Sequence, residues 1–264
     1  MLSFARWDGF SPDWQWTGLS NYTDLLGGDI ARSPQVVNAA AQTLVGMVVV
    51  PIAVPLIGLL LALLLNSIRR MRALMRTVYF LPYVTTGIAV FYAWRFMYEP
   101  NGAVNGILNA VGLDFLSQPD GFLGNVNTAL GAVVVVQVWS AVPIAMLLYL
   151  TGLQTIPDSV IEAARIDGAT SARTVWSIIL PLLNPITALV VILQLREAFQ
   201  NYQVYLLMTN GGPVDSTTTL GLLTYNYGFG APSDFGYASA LGWMLALAAV
   251  VLAIVSFRIL RSRQ

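Results

Sequence analysis

Cysteine, histidine and lysine are all absent from the sequence. Without cysteine there is no disulfide framework, and the redox compartment is not encoded. Losing thiol and imidazole together excludes zinc fingers, haem ligation and HExxH centres, and every Ser-His-Asp or Cys-His catalytic arrangement. Lacking lysine, the chain cannot build a Walker A loop, which needs an ammonium group on the β and γ phosphates. The expectation is a protein that is not an enzyme and holds neither a metal nor a cofactor of its own.

Charge is scarce as well. Only 10% of the 264 residues are charged, where soluble domains carry about a quarter, and 56% are apolar. So little charge cannot cover a surface in water, and lipid is the natural alternative. The thirteen arginines balance ten aspartates and three glutamates, so there is no basic footprint for nucleic acid.

What the chain has instead is long apolar runs. A helix needs about 20 apolar residues to cross roughly 30 Å of hydrocarbon, and five stretches qualify: 43–65, 78–97, 128–150, 182–201 and 238–257. The first holds Pro51 and Pro55, expected to bend it, and the fourth is the most polar. The fold class read from this pattern is an all-α membrane protein of five transmembrane helices. Residues 1–35, with Trp7, Trp14 and Trp16 among several aspartates, form no apolar run and read as an external or interfacial segment. Residues 36–264 make one membrane domain.

Arginine distribution orients the domain, because short cytoplasmic loops keep positive charge. Arg69, Arg70, Arg72 and Arg76 follow span one, Arg165 and Arg173 follow span three, and Arg258, Arg261 and Arg263 end the chain. The alternate loops, 98–127 and 202–237, contain no arginine. The expected topology places the C-terminus in the cytoplasm.

The cytoplasmic loop 151–181 has its own pattern. Pro157 and Asp158 start a short helix, Glu162, Ala163 and Ala164 continue it, and Gly168 supplies a turn in the left-handed region that a Cβ disfavours. A second short helix is predicted from about Ser171 to Leu180, giving a helix-turn-helix tethered at both ends by spans.

The order Glu162-Ala163-Ala164, then Gly168, Ile178 and Leu180-Pro181, resembles the EAA motif of permease subunits in ABC-type importers. Leu2-Ser-Phe, Trp7-Asp8-Gly9, Gly18-Leu-Ser-Asn-Tyr22, Phe80-Leu81-Pro82, Thr209-Asn-Gly-Gly-Pro213 and Gly236-Tyr-Ala-Ser-Ala240 are similar to the carbohydrate-uptake branch, of maltose-like and glycerol-phosphate-like importers. The resemblance implies the type I importer permease core in a prokaryotic plasma (inner) membrane. It also implies the partners: a second homologous permease, two cytoplasmic ATPase subunits that bind ATP and Mg, and an external solute-binding protein. In this family the EAA helix seats in a cleft of the ATPase, so Glu162, Ala163, Ala164, Asp167 and Gly168 are the expected coupling residues. Such permeases usually begin with one more span; Met1 falls just after its expected end, leaving a truncated start and a reduction to the five-helix core as the two readings.

Ionisable and amide groups inside a span face protein or a watery path, because lipid penalises them. Gln194, Glu197, Asn201 and Tyr205 fall within one narrow face at 100° per residue, and Gln137, Ser140, Ala141 and Ile144 share a face of span three. These seven, Ile144 aside, are the candidate substrate cavity, since amides and carboxylates suit sugar hydroxyls. The plainer reading is hydrogen bonding between helices. Arg196 is the one cation near the cavity stripe. A neutral sugar is therefore favoured over a glycerol-phosphate or polyol cargo. An ion-coupled secondary carrier is the alternative from another class; it would need a coupling carboxylate, which only Glu197 supplies, and it leaves the spacing from Glu162 to Pro181 unexplained.

Overall fold

The computed structural model describes residues 1–28, 33–67 and 87–261. Arg69, Arg70, Arg72, Arg76, Phe80-Leu81-Pro82, the first part of the expected span 78–97, and Arg263 lie outside the described residues.

The N-terminal segment is a small hairpin. Strand β1 (Ala5–Arg6) pairs antiparallel with β2 (Gln15–Trp16), Ala5 opposite Trp16, and a single turn of helix follows as α1 (Ser20–Thr23). Helix α2 (Ser33–Ser67) runs continuously through Pro51 and Pro55. Next come α3 (Gly87–Met97), which carries Arg95 in its last turn, and the short helix α4 (Ala103–Ala110). Helix α5 (Val126–Leu153) is capped by Asn125, whose side-chain oxygen accepts from the Asn127 amide.

Two short helices, α6 (Asp158–Ile166) and α7 (Ser171–Leu182), precede α8 (Asn184–Gln200). The pair α7 and α8 is bent by 69° at Leu183. Pro181 and Pro185 stand four apart across this point, and the second offers no amide and crowds the carbonyl of the first, which breaks the helix. Helix α9 (Gln203–Met208) and helix α10 (Leu220–Phe229) follow, and α11 (Phe235–Arg261) ends the described chain.

Three helices among the described residues are long and apolar enough to cross a membrane, and the bent pair makes a fourth if taken as one span. The expected span 182–201 is shortened at both ends: regular helix begins at Asn184, and Asn201 already has extended backbone, with ψ of 101°.

The bundle core lies where α2, α5 and α8 cross. Val50, Val54, Ala62 and Leu65 pack with Ala145, Met146, Tyr149 and Leu150, and with Leu183 and Val190. Small residues let the backbones approach. A Cβ on Gly58 would stand 2.9 Å from that of Ala145, and one on Gly152 would collide with the Ile186 side chain. The opposite surface of α2 shows Ile52, Leu56, Leu60 and Leu64, and α11 shows Trp243, Leu247 and Val251, all exposed on the isolated chain. Apolar stripes of this length suit lipid or a neighbouring membrane subunit.

The N-terminal hairpin docks on the start of α11. Phe235 donates its amide to the Trp7 carbonyl at 2.9 Å, Ser233 Oγ donates to Asp8 O at 2.7 Å, and the buried Asn21 amide bridges Ser3 O and Ala5 O at 3.0 Å each. Gly236 has no Cβ to obstruct this contact; one placed there would run into the Ala5 carbonyl oxygen.

Candidate functional site

Helix α6 stands between α5 and α7 with most of its side chains exposed. Asp158 sits in its first turn and Arg165 in its last, both favourable to the helix dipole. Its C-terminus closes in a Schellman arrangement: the Gly168 amide donates to Arg165 O at 3.1 Å and the Ala169 amide donates to Ala164 O at 2.9 Å. Gly168 has a φ of 76°, the left-handed conformation this turn requires. Thr170 then starts α7, its hydroxyl accepting from the Arg173 amide at 3.3 Å.

The five residues expected to couple fall on two sides of this turn. Ala164 is buried, and its carbonyl anchors the Schellman bond, while Glu162, Ala163, Asp167 and Gly168 are exposed. The Glu162 carboxylate makes no hydrogen bond or ion pair among the described residues. Two large apolar side chains follow it in sequence, Ile166 at 85% exposed and Trp176 at 73%.

The stripe 194, 197, 201, 205 does not survive as one helical face. The break after Gln200 shifts Tyr205 onto α9, and the 100° arithmetic applies only within an unbroken helix. Gln194 and Tyr205 are buried, Glu197 is exposed, and Asn201 is half-buried. Asn201 donates its side-chain amide to Glu197 Oε1 at 3.1 Å, so these two stay together. Tyr205 instead donates its hydroxyl to Gln137 Oε1 on α5 at 3.2 Å. Ser140, half-buried beside Ala141, spends its hydroxyl on Val136 O of its own helix at 2.8 Å.

Two polar atoms in this region have no partner among the described residues. Gln137 Nε2, a donor, and Gln194 Oε1, an acceptor, are both buried and unbonded. Buried polar groups are nearly always satisfied, by protein or by ordered water, so these two atoms are open to a partner beyond the described residues. Arg196 points away from this region, donating to Gln200 Oε1 at 3.3 Å beside an apolar groove of about 250 Å³ between α8 and α11.

Sequence reading missed the polar loop that joins α9 to α10. Thr217 donates to Gly212 O at 2.9 Å and pairs with the Thr209 hydroxyl at 2.7 Å, and Thr218 reaches Gly211 O at 3.3 Å. Buried Thr43 on α2 accepts from the Leu220 amide at 2.9 Å and so locks the loop to the bundle. The run Ser216-Thr-Thr-Thr219 behind Gly211-Gly212-Pro213 was the available signal: four consecutive hydroxyl residues next to a tight turn.

The chain is 31% identical over 97% of its length, and 85% of the relative's, to a multiple sugar-binding transport system permease protein of Streptococcus mutans. It is also 31% identical to an sn-glycerol-3-phosphate transport system permease protein of Brucella suis, over 99% of this chain and 86% of that one. In fold it is similar to a chain of a bacterial ABC transporter that imports the acidic polysaccharide alginate, with a TM-score of 0.80 at 22% identity, over 99% of this chain and 87% of the other. Residues 42–262 match the family model for the binding-protein-dependent transport system inner membrane component. The chain belongs to that family of multi-pass, membrane-embedded transport permeases.

Proposed function

We propose that this chain is one permease half of an ATP-driven, binding-protein-dependent sugar importer in a prokaryotic plasma membrane. A second, homologous permease completes the path, two cytoplasmic ATPases bind and hydrolyse ATP with Mg, and an external binding protein delivers the solute. Five spans and a cytoplasmic C-terminus complete this reading, with α6 as the EAA coupling helix.

The observation that carries it is the surface of the α6–α7 connection. A glutamate with no side-chain partner among the described residues, Glu162, and two bare apolar side chains, Ile166 and Trp176, stand exposed on either side of the turn at Gly168. Exposed apolar groups of this size favour a covering partner. In the proposed cycle, ATP-driven closure of the ATPases moves α6, and α7 and α8 carry the motion into the membrane. The unbonded Gln137 Nε2 and Gln194 Oε1 support a role in solute contact, because a sugar hydroxyl both donates and accepts. Ser140, Ala141, Glu197, Asn201 and Tyr205 complete the proposed cavity.

Sugar specificity rests on the Streptococcus mutans relative, and glycerol phosphate is the second reading because of the Brucella suis relative. Among the described residues Arg196 is the only cation beside the stripe, and it is turned toward Gln200, which favours a neutral cargo. The test is to reconstitute the complete complex and measure ATP hydrolysis with sugar-loaded and glycerol-phosphate-loaded binding proteins. Stimulation by a sugar-loaded protein is expected; solute movement by the isolated chain would overturn the reading.

A further inference from the structure

At the end of the bundle opposite α6 lies a second polar cleft that the proposed path does not use. It has a volume of about 420 Å³, within the range of small-ligand sites, which run from roughly 300 to 1,000 Å³. Three distant segments build it: Gln35 at the start of α2, Asp215 and Thr218 in the loop after α9, and Asn226 and Tyr227 on α10, with Pro232 at its edge.

The walls are pinned by hydrogen bonds. Tyr227 donates its hydroxyl to Gln35 Oε1 at 3.0 Å, and Thr218 donates to Asp215 Oδ1 at 3.2 Å. Asn38 donates to the Asp215 carbonyl at 2.9 Å, which holds that residue at a φ of 56°. What stays open is a matched set of polar groups. The Asn226 carboxamide, Gln35 Nε2 and Asp215 Oδ2 have no hydrogen-bond partner among the described residues. Together they offer donors and acceptors from the lining of one cleft, which Leu223 and Pro232 also line with apolar surface.

We propose that this cleft is an outer saccharide subsite that binds a neutral, hydroxyl-rich sugar unit. It rests on the sugar-importer reading above and adds a second contact to it, outside the membrane-buried stripe. Planar amides and a carboxylate satisfy vicinal hydroxyls, and the apolar wall suits the C–H face of a sugar ring. No cation lines the cleft among the described residues, and Asp215 contributes a negative charge. Uronic acids and phosphate esters would meet the like charge of Asp215 there, which disfavours them.

The purified full-length chain in lipid nanodiscs is tested on an array of immobilised neutral, uronic-acid and phosphorylated oligosaccharides. Neutral glycans are retained and acidic ones are not. Asn226→Leu lowers retention at least tenfold, and so does Gln35→Glu, which keeps the Oε1 acceptor for the Tyr227 hydroxyl and removes the Nε2 donor. Retention that survives both substitutions, equal retention of acidic glycans, or no retention at all overturns the proposal. Loss of binding-protein stimulation with glycan retention intact assigns the cleft to protein docking and overturns it too. Uptake by the complete importer separates the two levels: sugar uptake without array retention sinks the outer subsite alone, whereas a complete importer that moves no sugar sinks the importer reading.

Discussion

Tyr205 and Gln137 meet inside the bundle, hydroxyl to amide oxygen at 3.2 Å, with both side chains buried. Gly46 on α2 makes room for them, since a Cβ there would stand 3.3 Å from the Tyr205 hydroxyl. Three elements thus converge on one polar contact: α2 by a missing side chain, α5 by an amide, and α9 by a phenol. The contact ties α9 to the bundle just beyond the place where the chain leaves α8.

Tyr205→Phe removes the donor and leaves Gln137 with neither of its amide atoms bonded. Hydrogen bonds between membrane helices contribute only about 0.6 kcal/mol on average, but an orphaned buried polar group costs about 1–3 kcal/mol. A loss of about 1–2 kcal/mol in unfolding free energy is expected. Adding Gln137→Leu removes the orphan, so the double variant is less destabilised than the sum of the two single ones. Additive losses in a denaturation double-mutant cycle would show that the two residues do not act as a pair.

The long apolar helices were legible because lipid imposes length and composition on any crossing segment, and α2 and α5 contain the expected runs 43–65 and 128–150, α2 starting ten residues earlier. Helix α6 and its turn were legible for another reason: Asp158, Ala163 and Gly168 act locally, through first-turn charge, helix propensity and left-handed backbone. The break after Gln200 was not legible. Nothing in Gln200-Asn201-Tyr202 forbids helix, and the burial of Tyr205 against Gln137 across 68 positions goes with the alternative course. Contacts of that separation depend on the whole packed bundle, so the polar stripe was read one helix too long. The docking of the N-terminal hairpin was hidden for the same reason, even though Gly236 and Leu2-Ser-Phe stood out as similar to the family.

Gly236→Ala tests that docking. The added methyl would fall on the Ala5 carbonyl oxygen, a backbone atom that cannot rotate away, so the hairpin must shift from α11. Overpacking of this kind costs about 1–3 kcal/mol. Limited proteolysis is expected to cut within residues 5–16 faster in the variant, while membrane insertion is unchanged. Gly106→Ala is the control, because nothing lies within 4 Å of the position its Cβ would take. Equal cleavage of Gly236→Ala and the control would refute the role of close approach.

Asp8 gives the hairpin a pH response. Its carboxylate accepts from the Ser11 amide at 2.8 Å and the Phe10 amide at 3.0 Å, and these bonds hold its pKa below the usual carboxylate value. Because the folded value is the lower one, the stabilisation is complete above the unfolded pKa of about 3.9 and disappears as pH falls through the folded value. Protection of the Phe10 and Ser11 amides in hydrogen exchange, corrected for intrinsic rates, should be flat from pH 5 to 7 and decline below about 4. Asp8→Asn keeps the acceptor oxygen and should abolish that decline; an unchanged decline in the variant would assign it to another group.

Gly168 and Glu162 separate a structural role for α6 from a coupling role. Space around Gly168 is open, with nothing within 4 Å of the position a Cβ would take, so a substitution there is penalised by its φ of 76° and not by collision. Left-handed backbone costs most L-residues about 1–2 kcal/mol, least for asparagine. Gly168→Asn should therefore keep uptake near wild type, whereas Gly168→Val should distort the Schellman turn and reduce uptake at least tenfold at equal membrane abundance. Glu162 adds the chemical half of the test. Because the carboxylate is exposed and has no partner in the described chain, Glu162→Gln should leave the thermal stability of the isolated protein unchanged. In the complete importer it should still weaken the stimulation of ATP hydrolysis by solute-loaded binding protein, and Glu162→Arg should weaken it further. If both substitutions lower the stability of the isolated chain, Glu162 belongs to the fold. If neither changes stimulation, α6 does not meet its ATPase through this residue.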